Sequence, residues 1–300
     1  MEAFVVTPLT KPAIVGGSKD TRLAVEACRK AARETSPILF QGEVGSGKYL
    51  MATYLHRESP RSGKSFLLVD CSQPEEIKSF LNLRKLEDKF QLFRGGAVYF
   101  REVASLGLED QSRLHQACLT AEALDMRVCL SSSQNVHVLM YEKAFNGELY
   151  RYASQCEIYI SALRQRREDI MELTRYYIQK LNLRLRKSIQ GITPQAEEVF
   201  MTYRWPGNVE ELQNVLTRAM VLAHEPFIGQ RHLAESIGQM GDNLMQTPDV
   251  MPLDRMEEIL LRTALNRYGT SLEGKKRAAR ALNISLATLY NKVKRYNLNE

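Results

Sequence analysis

Five short apolar runs punctuate the first half of the chain: PILFQ (37–41), SFLLVDC (65–71), AVYF (97–100), MRVCLSSS (126–133) and CEIYIS (156–161). Each has the length of a strand. Helical patterns lie between them, notably YLMATYLHRES after the first run and a stretch from about Glu109 to Ala121. Such alternation predicts an α/β domain, a parallel sheet with helices on both faces, over residues 1–163. From Arg164 the periodicity is helical throughout. REDIMELTRYYIQKLNLRL reads as one amphipathic helix, and Thr193-Pro194 opens another, with Thr as cap and Pro at the first helical position. These features predict a helical domain over 164–237. GQMGDNLMQTPDVMP (238–252) has no period and carries two Gly and two Pro, which marks a linker. Beyond it, 253–300 reads as an all-α domain: a helix from about Leu253 to Tyr268, a Gly-containing turn and two shorter helices.

Composition narrows the class only a little. A chain of 300 residues with 44% hydrophobic and 25% charged residues is ordinary for a soluble globular protein of about two domains. No apolar run approaches the ~20 residues needed to span a bilayer, and the N-terminus lacks the pattern of a signal peptide. A cytoplasmic protein without membrane contact is expected. Cys28, Cys71, Cys118, Cys129 and Cys156 form no CxxC pair, so reduced, buried thiols are expected rather than disulfides or a metal site. Charge is more informative. Residues 251–300 hold ten Lys/Arg against five Asp/Glu, whereas residues 1–250 hold 31 against 30. The chain's surplus of six is therefore concentrated at the C-terminal end, a distribution that suggests nucleic acid.

Gly42-Glu43-Val44-Gly45-Ser46-Gly47-Lys48 fits G-x-x-x-x-G-K between a strand and a helix. Glycines let backbone N–H groups curl round phosphate oxygens, the helix N-terminus adds its dipole, and Lys48 reaches the outer phosphates. Tyr49 stands where a Ser or Thr usually offers magnesium a hydroxyl. The strand AVYF ends in Arg101-Glu102. In nucleotide hydrolysis an acidic pair at such a strand end manages the metal and the attacking water, and here one of the pair is a cation.

Taken with these motifs, nearly the whole chain resembles the bacterial enhancer-binding proteins, the AAA+ activators of the sigma-54 form of RNA polymerase. IVGGS (14–18) is similar to the family's segment leading into the adenine pocket. LFQGEVGSGKYLMATYLHRESPRSGKSFLLVDCS resembles its phosphate-loop region, FNGELY its arginine-finger segment, and ALRQRREDI and YRWPGNVEELQN its lid motifs. The resemblance implies an AAA+ P-loop sheet with a helical lid, which binds ATP or ADP through Ile14, Val15, Gly42, Glu43, Val44, Gly45, Ser46, Gly47, Lys48 and Tyr49. An acidic residue is usual at position 49 in the family, so the absence of Ser or Thr there is not itself a departure.

The departures fall on chemistry. The metal-managing acidic pair is Arg101-Glu102, which argues against magnesium because a guanidinium repels the ion, while it could itself contact phosphate. By position, the strand-end sensor is Ser133, the two finger arginines are Asn146 and Tyr152 with Arg151 adjacent, and the lid's sensor arginine is Glu210. The G-A-F-T-G-A loop with which the family engages the sigma factor is absent. The interval that would hold it, SQPEEIKSFLNLRKLEDKFQLFR, is about a dozen residues short of the family pattern. No residue is therefore assigned a catalytic role.

KKRAARALNISLATLYNKVKRYNL (275–298) contains two helical patterns, the first from about Lys275 to Leu282 and the second capped by Ser285 and running through Tyr296. Ala278, Ala279, Leu282, Ile284, Leu289 and Val293 are the expected buried face. The pattern resembles the Fis-type helix-turn-helix that ends most enhancer-binding proteins. It implies that Ser285, Thr288, Asn291 and Lys292 approach bases or phosphates of double-stranded DNA. Lys275, Lys276, Lys294 and Arg295 are expected to contact phosphates. Met256, Ile259, Leu260 and Thr263 form a stripe that would pair two protomers on a palindromic site.

Three readings follow. The first is a DNA-binding regulator on a degenerate AAA+ domain, acting as a dimer or higher oligomer and holding nucleotide without turnover. It would work without the sigma-54 contact or modulate an intact enhancer-binding protein at RNA polymerase. The second is an ATP-hydrolysing activator with unusual catalytic residues. The third is a regulator whose nucleotide cleft senses another anionic ligand. With about a dozen residues before Ile14, control through an attached receiver domain is not expected.

Overall fold

The structure, a computed structural model, describes residues 4–6, 12–73, 77–78, 80–81, 83–233, 261, 264–265, 268–269, 271–282 and 284–296. It contains two compact units, Met1–Ile237 and Gly238–Glu300. The expected linker (238–252) and the stripe Met256, Ile259, Leu260 and Thr263 lie outside the described residues.

The larger unit is built on a six-stranded sheet. Its strands are β1 (Phe4–Val6), β2 (Ile38–Gln41), β3 (Phe66–Asp70), β4 (Ala97–Arg101), β5 (Arg127–Ser132) and β6 (Glu157–Tyr159), in the order β1-β3-β4-β5-β2-β6. All neighbours run parallel except β1, which adds antiparallel to the β3 edge. The pattern of the five apolar runs accounts for the parallel part. The edge strand β1 was not foreseen, because three residues of FVV give too short a signal to separate from a loop.

Side chains alternate between the two faces of the sheet. Leu39, Leu67, Val69, Val98, Phe100, Val128 and Leu130 join one buried cluster. Ile38, Phe40, Phe66, Ala97, Tyr99 and Cys129 join the other. With both faces covered, the strands need near-continuous apolar sequence rather than alternation, which is why they read as runs. Each fully buried large side chain contributes about 1.5–3 kcal/mol. The covering helices are α1 (Lys19–Ala31), α2 (Lys48–Glu58), α3 (Leu83–Gln91), α4 (Leu108–Ala123), α5 (Val136–Tyr141) and α6 (Gly147–Ala153). The interval between β3 and β4 thus holds short helical structure leading into α3.

The lid follows as α7 (Glu168–Leu185), α8 (Pro194–Thr202) and α9 (Asn208–Leu222), with a two-stranded ladder of β7 (Gly191–Ile192) and β8 (Phe227–Ile228). Thr193 caps α8 by accepting from the Ala196 amide, with Pro194 at the first position. Its core centres on Trp205, which is fully buried, meets Phe200 and Tyr203 edge-on, and donates its indole N–H to the Phe200 carbonyl at 2.9 Å. Trp205 and Asn208 both adopt left-handed backbone (φ 51° and 54°). Gly207 sits between them, where a Cβ would come within 2.7 Å of Glu211 Cβ. The WPGN turn therefore reverses the chain sharply and starts α9 against the phosphate loop.

The smaller unit contains α10 (Leu272–Ala281) and α11 (Leu286–Arg295). Helix α10 begins three residues before the expected Lys275, because Ser271 caps it by accepting from the Gly274 amide. Ala278, Ala279, Leu289 and Val293 are buried together with Leu261, Ala264 and Leu265, and Leu282, Ile284, Leu286 and Tyr296 pack against them. Gly274 permits the closest approach, since a Cβ there would lie 2.3 Å from the Tyr268 carbonyl oxygen.

Candidate functional site

The turn after β2 is held by glycines that no other residue could replace without strain. Gly42, Gly45 and Gly47 have φ of 150°, 71° and 106°. A Cβ on Gly42 would fall 2.4 Å from the Ile160 carbonyl oxygen and one on Gly45 would fall 2.2 Å from that of Gly207. The carbonyls of this loop are all engaged. Lys48 Nζ donates to Gly42 O (2.8 Å) and Glu43 O (3.1 Å), Asn208 Nδ2 to Val44 O (2.9 Å), the Val209 amide to Gly45 O (3.0 Å) and Arg166 Nη2 to Ser46 O (2.6 Å). Two of the loop's amides are also bonded, Gly42 to the Ser132 carbonyl and Ser46 to that of Glu43. The Gly45 and Gly47 amides have no hydrogen-bond partner among the described residues, and Ser46 Oγ is a buried hydroxyl without one. This is a cradle of donors at the start of α2 for which phosphate oxygens are the matching acceptors.

Three of the five carbonyl locks come from beyond β6. Asn208, fully buried, also accepts from the Leu163 amide at 2.7 Å. Arg164 makes a two-pronged ion pair with Glu43, at 2.7 and 2.5 Å. The Arg164 bonds outweigh burial and hold the Glu43 carboxyl below its ordinary range. Arg166 is buried beside Asp169, whose carboxylate in turn accepts from the Ser18 amide, Ser18 Oγ and Thr21 Oγ1. Ser18 closes the IVGGS segment, in which Ile14 packs on the α/β core and Val15 on the lid core. The expected adenine-side residues thus stand at the joint between base and lid.

The far wall of the cleft carries the departures. It is a space of about 560 Å³ lined by the loop, Tyr49, Ser72, Tyr99, Arg101 and Glu102, and by Tyr177, Val209, Glu210 and Gln213 of the lid. Asp70 and Arg101 end neighbouring parallel strands in direct register, and the guanidinium is ion-paired to the Asp70 carboxylate. Burial pushes the Asp70 carboxyl up, but the bonds from Arg101 and Ser72 outweigh it and hold it below its ordinary range. The same contact raises Arg101. Glu102, in left-handed backbone (φ 57°), accepts from the Ser133 amide at 2.8 Å and pairs with Lys48 at 3.1 Å. Strained backbone of this kind is concentrated at functional sites.

These contacts decide what the site can hold. Lys48 has three donors and three acceptors, Gly42 O, Glu43 O and Glu102. Both carboxylates near the β-strand ends are neutralised by cations of the chain. The Tyr49 ring packs on Tyr99 and Phe66, at 5.5 and 6.2 Å between ring centres. Among the described residues no cluster of three His, Cys, Asp or Glu could hold a metal. The guanidinium at the β4 end disfavours a dication beside it, whereas the cradle fits the phosphates of a nucleotide.

The remaining motif positions do not converge on the cleft. Asn146 caps α6, accepting from the Glu148 and Leu149 amides and donating to Ser112 Oγ. Tyr152 is buried, its ring edge-on to His115. Arg151 is exposed and donates to the Gly147 carbonyl. Sequence reasoning missed the Asp70–Arg101 pair. The pairing follows from the β3–β4 register, which sets Asp70 opposite Arg101 and which the runs SFLLVDC and AVYF do not fix.

The profile of the sigma-54 interaction domain matches residues 16–163, and that of the AAA+ ATPase lid domain matches 164–248. The transcriptional regulatory protein ZraR of Klebsiella oxytoca is 30% identical over 315 residues, covering 96% of this chain and 70% of its own. The chain belongs to the sigma-54-dependent enhancer-binding proteins. The phenol regulator MopR of Acinetobacter guillouiae is 27% identical, over 95% of this chain and 56% of its own. Crystal structures of NtrX from Brucella abortus in complex with ADP and with ATP superpose with a TM-score of 0.68 at 25% identity. They cover 96% of this chain and 69% and 70% of theirs. No helix among the described residues is long and apolar enough to cross a membrane.

In the smaller unit, Ser285 Oγ accepts from the Thr288 amide (3.0 Å) and lies 2.7 Å from Thr288 Oγ1. Both residues therefore serve as the start of α11. Lys275 lies over the Tyr290 ring at 5.0 Å and Lys276 pairs with Glu273 at 3.4 Å. Asn291 is exposed and Lys292 half-buried. The side chains of Lys294 and Arg295 lie outside the described ones.

Proposed function

We propose that this family member is a DNA-binding transcriptional regulator whose AAA+ domain holds ATP or ADP without efficient turnover. The observation that carries the reading is the Asp70–Arg101 ion pair, which puts a cation at the strand end where metal and water are managed in hydrolysis. Catalysis of phosphoryl transfer is positioning and electrostatics, and each part is altered here. Glu102 is tied to Lys48, Asn146 is a helix cap, Tyr152 is core, and Glu210 brings negative charge to the cleft wall. The short β3–β4 interval, with no G-A-F-T-G-A, supports regulation without the sigma-54 loop contact. In this reading the larger unit is a ligand-holding and assembly platform, acting on itself or on an intact relative at RNA polymerase. The smaller unit reads double-stranded DNA as a Fis-type helix-turn-helix: α11 enters the major groove, with Asn291 and Lys292 near bases or phosphates and Lys275, Lys276, Lys294 and Arg295 on phosphates.

Hydrolysis is the test. ATP turnover by the purified chain is measured over a wide protein concentration range, with Lys48→Ala as the blank. Turnover no greater than the blank is expected. Turnover that rises with protein concentration and vanishes in Lys48→Ala would show that a ring assembles a working site, and the hydrolysing-activator reading would replace this one.

A further inference from the structure

We propose that the cleft takes the phosphates of a nucleoside di- or triphosphate without a divalent cation, the Arg101 guanidinium standing in the cation's place. The proposal rests on the nucleotide-holding reading above and specifies how the phosphates are neutralised.

Arg101 ends β4 within the cleft wall and is 46% exposed at its side chain, so its head reaches the same space as Lys48. Its fork of N–H groups suits two phosphate oxygens at once, as a hydrated metal ion would. Turning to a phosphate releases only Asp70 Oδ2, on a side chain that is 22% exposed. Asp70 keeps the Ser72 amide at 3.0 Å and Ser72 Oγ at 2.8 Å when Arg101 leaves. Glu102 likewise keeps the Ser133 amide when Lys48 turns outward. The two ion pairs thus act as parking places for two cations that a polyanion would draw into the cleft. A dication is disfavoured there, because the charge of the Arg101 guanidinium repels it. The cradle supplies the other half of the site through the unpartnered Gly45 and Gly47 amides and the buried, unpartnered Ser46 hydroxyl.

The experiment is calorimetric titration of ATP and of ADP into the full chain, once with magnesium and once with EDTA. Affinities that agree within about twofold are expected, and Lys48→Ala should abolish binding in both. In EDTA, Arg101→Gln should lose at least ~10-fold in affinity, the size of a charged hydrogen bond. Asp70→Asn, which frees Arg101 without removing it, should bind more tightly than the parent. Thermal unfolding without ligand verifies that each variant is folded. Binding to the parent that is ~10-fold or more tighter with magnesium would overturn the metal-free proposal and leave nucleotide binding standing, as would Arg101→Gln matching the parent in EDTA. No binding of either nucleotide in either buffer would overturn the nucleotide reading itself and this proposal with it.

Discussion

Arg164 and Glu43 join the first residue of the lid to the second residue of the phosphate loop through two parallel bonds, 2.7 and 2.5 Å long. Both side chains are more than a third exposed, so solvent screens the pair. Arg164→Ala should therefore cost only about 0.5–1 kcal/mol of stability at neutral pH. The pH dependence has a definite sign. Glu43 has a folded-state pKa below its ordinary value of 4.5. The contribution is then fully present above that value and is lost as pH falls through the folded-state pKa. Urea unfolding of parent and variant should differ at pH 7 and converge in acid. A difference that persists in acid would show that Arg164 acts by packing and not by charge.

Asn208 carries more, because it is fully buried. Its side chain satisfies the Leu163 amide and the Val44 carbonyl, one on each side of the lid–loop junction. Asn208→Ala leaves both unpaired and should cost about 2–3 kcal/mol. Urea midpoints measure this directly. The same variant should weaken ATP binding, since Val44 is then free to turn its peptide. A variant as stable as the parent would show that water enters the junction and replaces the amide.

Much of this arrangement was legible in the chain. Five apolar runs and a change to helical period at Arg164 give the sheet and lid because burial on both faces forces those patterns. Residues 42–48 give the phosphate loop because only glycine tolerates those φ values and close approaches. What stayed hidden depends on pairings across long separations. Asp169 ties α7 to Ser18 and Thr21, and Asp70 meets Arg101; neither partner lies within helix spacing of the other. The positions Asn146 and Tyr152 were read by alignment with a motif, and only packing reveals them as a cap and a core side chain.

Thiol reactivity reports on the same core. Burial pushes Cys28 up to about 12 and Cys129 up to about 11, and raises Cys71 and Cys118 as well. All four are inside, whereas Cys156 is half-buried. Iodoacetamide at mildly alkaline pH should therefore modify Cys156 first, and the other four only on unfolding. Mass spectrometry of the native protein locates the label. Rapid labelling of Cys129 would contradict the placement of β5 at the centre of the sheet.

Glu210 lines the cleft from the first turn of α9, and a basic residue there would restore one favourable charge toward a polyphosphate. Glu210→Arg should tighten ATP binding by severalfold but leave hydrolysis at the Lys48→Ala blank. The reason is that rate depends on groups acting as a unit. With Arg101 at the strand end where an acidic pair would manage metal and water, one added arginine does not rebuild that pair. A clear gain in turnover would mean that Glu210 alone blocks an otherwise competent site.

DNA binding by the smaller unit should follow its charge. Helix α11 is amphipathic: Leu289 and Val293 are buried, and Asn291 and Lys292 belong to its more accessible part. Replacing Lys292 and Lys294 together by Ala removes two of the ten cations that residues 251–300 contain. If both meet phosphates, affinity for duplex DNA should fall and the slope of log affinity against log salt should flatten by about two, one for each lost phosphate contact. Fluorescence anisotropy at four salt concentrations measures both quantities at once. Unchanged affinity with an unchanged slope would remove α11 from the DNA interface. A lost preference among sequences with an unchanged slope would place these lysines on base edges instead of the backbone.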